Sequence, residues 1–271
     1  MSKIAAIQMC SSDNIDENLS IAARLMTEAA ENGAQLMILP EMFSLIGKNP
    51  TDKIDAKENM YSGKVQEALS GLAKKLNSWI VGGTIPIACS DKNKIRAACL
   101  VYNNTGKNVA RYDKINLFDV TLSEKECYKE SDTTEPGNEI MVIDTPFGKL
   151  GLCVCYDIRF SNLFIELAKR GAEIIAIPAA FTVKTGEAHW KLLARARAVE
   201  NFSYVIGACQ GGTHSTGRQT YGHTLIVDPW GTVMSEITNE KFGIAYAEID
   251  LKKLHAIRKM IPVLSSSEPR A

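Results

Sequence analysis

The sequence predicts an α/β fold with parallel strands, built from two similar halves that face a shared cleft. Two observations carry that prediction. Residues 3–9 form an apolar run, residues 18–32 place Ile21, Ala22, Leu25, Met26, Ala29 and Ala30 at helical spacing before Gly33, and Gln35–Leu39 is a second apolar run closed by Pro40. A strand, a crossover helix and a second strand within about forty residues make a βαβ unit, which requires parallel pairing. The second observation is that the unit recurs. Lys149–Cys155 reads as a strand, residues 161–170 as a helix, and Gly171-Ala-Glu-Ile-Ile-Ala-Ile-Pro178-Ala-Ala-Phe181 tracks Gly33-Ala-Gln-Leu-Met-Ile-Leu-Pro40-Glu-Met-Phe43. A match this short also arises by chance between unrelated βαβ units, so the spatial relation of the halves decides it.

The remaining elements follow in order. Lys64–Leu76 is an amphipathic helix through Val65, Leu69, Leu72 and Leu76, and Trp79–Ile87 reads as one strand. Ala97–Tyr102 and Val109–Tyr112 flank Asn103-Asn-Thr-Gly106, whose Asn and Gly supply the positive φ of a hairpin turn. Residues 119–138 are polar, include Pro136 and Gly137, and read as a long surface loop. Gly186–Asn201 is a helix with Trp190, Leu193, Ala194 and Ala198 inward and Arg195, Arg197 and Glu200 on the solvated face. Tyr204–Cys209 is a strand, Thr220–Val227 and Thr232–Glu236 a hairpin across Asp228-Pro-Trp-Gly231, Gly243–Ile249 the last strand and Leu251–Lys259 the last helix.

Composition narrows the function classes. The 271 residues are 45% hydrophobic, enough for one large buried core, and no linker divides them. Equal numbers of basic and acidic residues, 31 each, argue against a nucleic-acid or anionic-membrane partner. Met1–Met9 reads as a strand rather than a secretion signal, and no eighteen-residue apolar run spans a bilayer. Seven scattered Cys, an odd number, fit a reducing cytoplasm better than a disulfide framework.

The chemistry centres on Cys155, where a buried strand breaks into the polar turn Tyr156-Asp157. That edge of an α/β sheet is where ligands bind, and a thiol there is a candidate nucleophile; the competing reading is a small buried hydrophobe. A thiol with a pKa of roughly 8.5 needs a base or a cation beside it. None of the four His residues sits at an evident strand end. Zinc is disfavoured too, because Cys153-Val-Cys155 lacks a second Cys/His pair. Glu41, after Pro40, and Lys114, after the first hairpin, end other strands; singly, each reads as an ordinary turn residue. Together, Glu, Lys and Cys meet a chemical requirement: the carboxylate takes the thiol proton, sulfur attacks an amide or nitrile carbon, and the ammonium holds the oxyanion.

Leu39-Pro-Glu41-Met-Phe43, Tyr112-Asp-Lys114-Ile-Asn-Leu-Phe118 and Gly151-Leu-Cys-Val-Cys155-Tyr-Asp-Ile-Arg159-Phe160 resemble, in that order, the motifs of the nitrilase superfamily of carbon–nitrogen hydrolases. The resemblance covers essentially the whole chain. It implies a four-layer αββα sandwich in which residues 1–271 form a single domain with a tail from about 262. It also implies Glu41 as general base, Lys114 as oxyanion stabiliser, Cys155 as nucleophile and the Tyr156 backbone N–H as a second oxyanion donor. The superfamily's second glutamate is carried to Glu130 of Tyr128-Lys-Glu130-Ser131, and Arg159, Phe181 and His189 are expected around the substrate. Arg159 or Arg195 would meet a substrate carboxylate, although Arg159 equally suits bracing the Cys turn. No cofactor or metal is implied, and a homodimer or higher homo-oligomer is.

Ala188-His189-Trp190, Arg195-Ala-Arg197-Ala and Thr220-Tyr-Gly-His223-Thr resemble the Nit-type amidases, with Arg218-Gln-Thr-Tyr221 nearer deaminated-glutathione amidases than ω-amidases. The expected substrate is therefore a small carboxylate-bearing amide like deaminated glutathione, with α-ketoglutaramate or α-ketosuccinamate as the alternative. A catalytically silent binding or assembly module is the alternative of another class. Two departures stand out: Asn116 replaces a usual His, and the tail Val263-Leu-Ser-Ser-Ser lacks the usual basic, aromatic ending.

Overall fold

The computed structural model describes residues 1–124, 126–238 and 241–262; the departure noted in the tail lies outside the described residues. The first sheet has the strand order Gly243–Ile249, Ser2–Gln8, Leu36–Ile38, Trp79–Val81, Ile95–Tyr102, Ile85–Ala88, with Asn108–Asp113 also paired to Ile95–Tyr102. The second runs Val233–Glu236, Leu225–Val227, Tyr204–Cys209, Ile174–Ala179, Gly148–Leu152, Val142–Thr145. Each has three parallel strands at its centre, in register Ile4↔Leu36↔Trp79 and Leu150↔Ile174↔Tyr204. The sequence repeat thus has a structural counterpart: strand for strand, Ser2–Gln8 and Leu36–Ile38 correspond to Gly148–Leu152 and Ile174–Ala179.

The four layers follow from strands that are apolar on both faces. Side chains alternate across a strand, so Ile4 and Ala6 join the core between the sheets while Ala5 and Ile7 meet the outer helices. Helix Ile15–Glu31 buries Ala22, Leu25, Met26 and Ala29 against the first sheet, together with helix Lys64–Lys75. Each large side chain so buried contributes about 1.5–3 kcal/mol. The first helix starts before the predicted Asn18 because the Asn14 side chain accepts the N–H groups of Asp16 and Glu17, a strong N-cap. Helices Ser161–Lys169 and Lys191–Asn201 cover the second sheet through Leu163, Phe164, Leu167, Ala194 and Ala198.

Several expectations change. The predicted strand 79–87 is broken at Gly82–Thr84. Gly83 has φ +55°, and a Cβ there would lie 2.0 Å from the Pro40 carbonyl oxygen, so the chain turns against the loop that carries Glu41. Residues 119–138 are not a plain loop: Asp119–Ser123 and Glu126–Lys129 pair as a hairpin, followed by a short 3₁₀ turn at Glu130–Asp132. One face, with Val120, Leu122 and Tyr128, is half-buried and the other is exposed, because the hairpin lies over the molecule instead of inside it. The predicted strand 220–227 divides. Gln219–Tyr221 pairs with Gly211–Thr213 in a separate ribbon, and only Leu225–Val227 joins the sheet. The helix ending at Asn201 begins with a turn at Val183–Thr185 and a π-helical turn at Gly186–Trp190. Arg197, expected on the solvated face, is only 5% exposed, because its guanidinium caps the Ile158 carbonyl through Nε at 2.8 Å.

Candidate active site

Three loops at the carboxyl ends of strands converge. Glu41 follows strand Leu36–Ile38; its carbonyl accepts from Gln210 Nε2 at 3.1 Å, and the next N–H, of Met42, donates to Thr84 Oγ1 at 2.9 Å. Lys114 follows strand Asn108–Asp113, held by backbone bonds from its N–H to Ala97 O at 3.0 Å and from the Gly137 N–H to its carbonyl at 2.9 Å. Cys155 opens the 3₁₀ turn Cys155–Arg159 beyond strand Gly148–Leu152, with φ +48°. A non-glycine residue in that left-handed region is strained, and such strain persists only where the surroundings impose it.

Asp157 imposes it. The fully buried carboxylate accepts four hydrogen bonds: Tyr112 Oη at 2.7 Å and the Val154 N–H at 2.8 Å on Oδ2, the Asn116 N–H at 2.9 Å and Asn116 Nδ2 at 2.8 Å on Oδ1. Burial still pushes its pKa up, against the lowering effect of those donors. The network ties the Cys155 turn to the segment that carries Lys114. Asn116 thereby contributes both backbone and side chain.

The charges at the site are unusually dry. Lys114 Nζ lies 2.7 Å from Glu41 Oε1 and 2.9 Å from Glu130 Oε2, with the Lys114 and Glu41 side chains 2% and 6% exposed. Glu130 Oε2 also accepts the Phe118 N–H at 2.7 Å. Burial alone would lower the Lys114 pKa, but Glu130 and Glu41 outweigh it and hold the ammonium charged well above its ordinary range. Burial pushes Glu130 up, and Lys114 reverses that, leaving its carboxyl below the ordinary value. For Cys155, burial and the neighbouring Glu41 charge raise the thiol well above its ordinary value, against the opposing pull of Lys114. The resting state is thus a protonated thiol beside a carboxylate and a fixed cation. Such a set can move a proton from sulfur to carboxylate and stabilise an oxyanion.

A cavity of about 970 Å³ opens on these groups. Among the residues expected from the sequence, Glu41, Lys114, Glu130, Cys155, Tyr156 and Phe181 line it. Arg159 and His189 are not part of its described wall, which departs from their expected place around the substrate. Arg159 Nη1 donates to His189 Nδ1 at 3.3 Å, and its guanidinium lies over the Tyr156 and Phe181 rings at 5.8 and 5.6 Å. It braces the cysteine turn from outside. Arg195 is turned away as well, donating to the Gly231 carbonyl at 2.8 Å. Among the described residues no grouping of three or more His, Cys, Asp or Glu could hold a metal ion.

Residues 3–259 match the model of the carbon-nitrogen hydrolase family. The chain belongs to that family. This carbon-nitrogen hydrolase is 38% identical over 263 residues to the deaminated glutathione amidase of Yersinia enterocolitica, covering 96% of this chain and 91% of the relative. It is 39% identical over 267 residues to the nitrilase and fragile histidine triad fusion protein NitFhit of Caenorhabditis elegans, covering 97% of this chain but only 60% of the fusion protein. Among solved structures, Saccharomyces cerevisiae Nit3, a member of branch 10 of the nitrilase superfamily, superposes with a TM-score of 0.87 at 31% identity, covering 99% of this chain and 96% of that one.

Several residues at this hydrolase's site had no motif to announce them. Gln210, fully buried, holds Glu41 from the second half of the chain. Lys53, from the short helix Asp52–Asp55, and Arg218, from a turn distant in sequence, also line the cavity. A signal for Asp157 was present, since a carboxylate adjoining an apolar run is unfavourable without donors.

Proposed function

We propose that this protein is a thiol amidase that cleaves a carboxylate-bearing amide of the deaminated-glutathione kind through a Cys155 thioester. The observation that carries the reading is the opening of Glu41, Lys114 and Cys155, from three distant segments, onto one cavity. Cys155 gives its proton to Glu41 as sulfur attacks the amide carbon. The ammonium of Lys114 and the backbone N–H of Tyr156 hold the developing oxyanion, and Glu130 keeps Lys114 aimed. As the tetrahedral intermediate collapses, the carbon–nitrogen bond breaks and Glu41 returns the proton to the leaving amine or ammonia. Water, deprotonated by Glu41, then opens the thioester to the free acid and the thiol. The charged resting state of Lys114 suits this sequence, because the cation is in place before negative charge appears.

The roughly 970 Å³ volume is large enough for a peptide-sized amide such as deaminated glutathione. The decisive measurement is kcat/KM on both compounds. The reading expects faster turnover of deaminated glutathione, with release of α-ketoglutarate and cysteinylglycine, and none from Cys155→Ala. Hydrolysis by that variant at the wild-type rate would reject the assignment.

The same reading takes residues 1–271 as one functional domain, working in a reducing cytoplasm as a homodimer or higher homo-oligomer on a small molecule. All seven cysteines are free, and no described helix is long and apolar enough to cross a membrane. Sedimentation velocity tests the assembly: a monomer at micromolar concentration counts against it.

A further inference from the structure

The sequence offered Arg159 and Arg195 as partners for a substrate carboxylate, and neither lies on the described cavity wall. Besides Lys114, the wall carries Lys48 and Lys129, each ion-paired to an aspartate, Lys184, which donates to the Leu122 carbonyl at 3.2 Å, and two further cations, Lys53 and Arg218. Lys53, beyond the loop that follows Glu41, lines the cavity and is partly buried. Its ammonium donates to a neutral acceptor, Thr134 Oγ1, at 2.9 Å, and makes no ion pair among the described residues. Arg218, from the turn before Gln219–Tyr221, lines the same cavity. Its only described side-chain bond is a weak one, from Nη1 to Met42 Sδ at 3.9 Å. Its Nε is buried without a partner, as is the hydroxyl of the nearby cavity residue Thr216.

Other buried and partly buried cations have carboxylates or, as Arg258 does, several backbone carbonyls for partners. Arg111 and Lys114 are each matched to carboxylates, and Arg197 to Glu200 and a carbonyl. Cations that share one cavity wall with no carboxylate bonded to them lose solvation and repel. Lys53 registers the loss: burial lowers its pKa first, and the cations of Lys114 and Arg218 add to the lowering against the opposing pull of Glu130 and Glu41. Those same influences put Lys53 within electrostatic reach of both the reacting groups and Arg218. An anion seated between Lys53 and Arg218 would restore what each lacks, and the guanidinium presents a fork suited to a carboxylate.

We propose that Lys53 and Arg218, with the Thr216 hydroxyl, form the subsite that binds the carboxylate on the acyl half of the substrate and so select acidic over neutral amides. The inference rests on the amidase reading for its substrate class, and the subsite itself is defined by the orphaned cations. Because these groups contact a part of the molecule that does not react, they contribute binding common to ground and transition states and should govern KM more than kcat.

The test separates the two proposals. Iodoacetamide alkylation of Cys155 is followed in the whole protein with increasing α-ketoglutarate, and in parallel with its neutral counterpart glutaramide. Protection by α-ketoglutarate but not by glutaramide is expected for the wild type. At least tenfold more α-ketoglutarate should be needed in Lys53→Gln or Arg218→Gln, with Lys53→Arg close to wild type and unprotected alkylation within twofold throughout. On turnover, the same two variants should raise KM for deaminated glutathione about tenfold, with kcat changed less than threefold. Absence of protection in the wild type, or equal protection in the Gln variants, overturns the subsite. Protection that depends on Lys53 and Arg218 in a protein that does not hydrolyse deaminated glutathione upholds the subsite and removes the substrate assignment.

Discussion

The Tyr112 hydroxyl donates to Asp157 Oδ2 at 2.7 Å, joining the strand that delivers Lys114 to the turn that delivers Cys155. Two elements from different halves are locked at the one place where the reacting groups must not drift. Replacing Asp157 with Asn puts an NH₂ where one carboxylate oxygen accepted two donors. Each buried donor left without an acceptor costs about 1–3 kcal/mol, so Asp157→Asn should lower unfolding free energy by about 2–6 kcal/mol. Tyr112→Phe removes one bond and leaves three on the carboxylate, so its loss should be about 1 kcal/mol. Urea denaturation followed by circular dichroism reads both, and the order of the two losses is the critical point.

Glu41 carries two effects on Cys155 that oppose each other in an experiment. As a base it is needed for turnover, and positioned bases typically contribute about 10²–10⁴-fold. As a fixed charge beside the buried thiol it raises the pKa of Cys155. Glu41→Gln should therefore lose at least 10²-fold in kcat while the pH midpoint for iodoacetamide alkylation of Cys155 moves down, because Lys114 remains beside the sulfur with Glu130 as its partner. A midpoint that rises would show that Glu41 does not act on the thiol by charge.

Arg197 supports the cysteine turn from beneath. Its Nε meets the Ile158 carbonyl at 2.8 Å, Nη1 meets Glu200 at 2.7 Å, and the guanidinium lies 5.3 Å from the Phe164 ring centre. Arg197→Met keeps much of the stem packing but strips a charged donor from a buried carbonyl, a change worth about 1.5–3 kcal/mol. The expected result is that loss in denaturant unfolding, together with faster hydrogen exchange at residues 155–159. A variant as stable as wild type would mean that the Ile158 carbonyl finds another donor.

How far such features were legible depends on which kind of interaction creates them. The paired βαβ units were visible in Gly33–Phe43 and Gly171–Phe181, because strands buried on both faces leave continuous apolar runs. Glu41 and Cys155 were visible because each ends such a run, and Lys114 because it follows the first hairpin. Arg197 was misjudged: helical spacing gives the face of a residue, whereas a buried guanidinium depends on a carbonyl thirty-nine positions away in the chain, that of Ile158. The hairpin of 119–123 with 126–129 was missed because its few apolar residues, Val120, Leu122 and Tyr128, are only half-buried among polar neighbours. Lys53 and Arg218 were out of reach for another reason. Their place on one cavity wall is a property of how distant segments pack, and no local pattern of residues encodes it.

Glu130 offers a prediction whose sign can be worked through. Its folded-state pKa lies below the ordinary value of 4.5, with the burial penalty overcome chiefly by Lys114. In the unfolded chain that partner is gone and the carboxyl titrates near 4.5. The stabilisation is therefore fully present above the unfolded value and is lost as pH falls through the lower, folded one, since the unfolded chain binds the proton first. Once Glu130 is protonated, the buried Lys114 ammonium keeps only Glu41, and an under-compensated charge in a dry site is unfavourable. Melting temperature measured from pH 6 down to about 3 should fall more steeply in the wild type than in Glu130→Gln. The variant begins lower, because its amide replaces a charge-assisted bond to Lys114, and its shallower acid limb brings the two curves together as Glu130 titrates. Parallel curves across that range would mean that the Lys114–Glu130 contact, 2.9 Å in the structure, contributes no net stability.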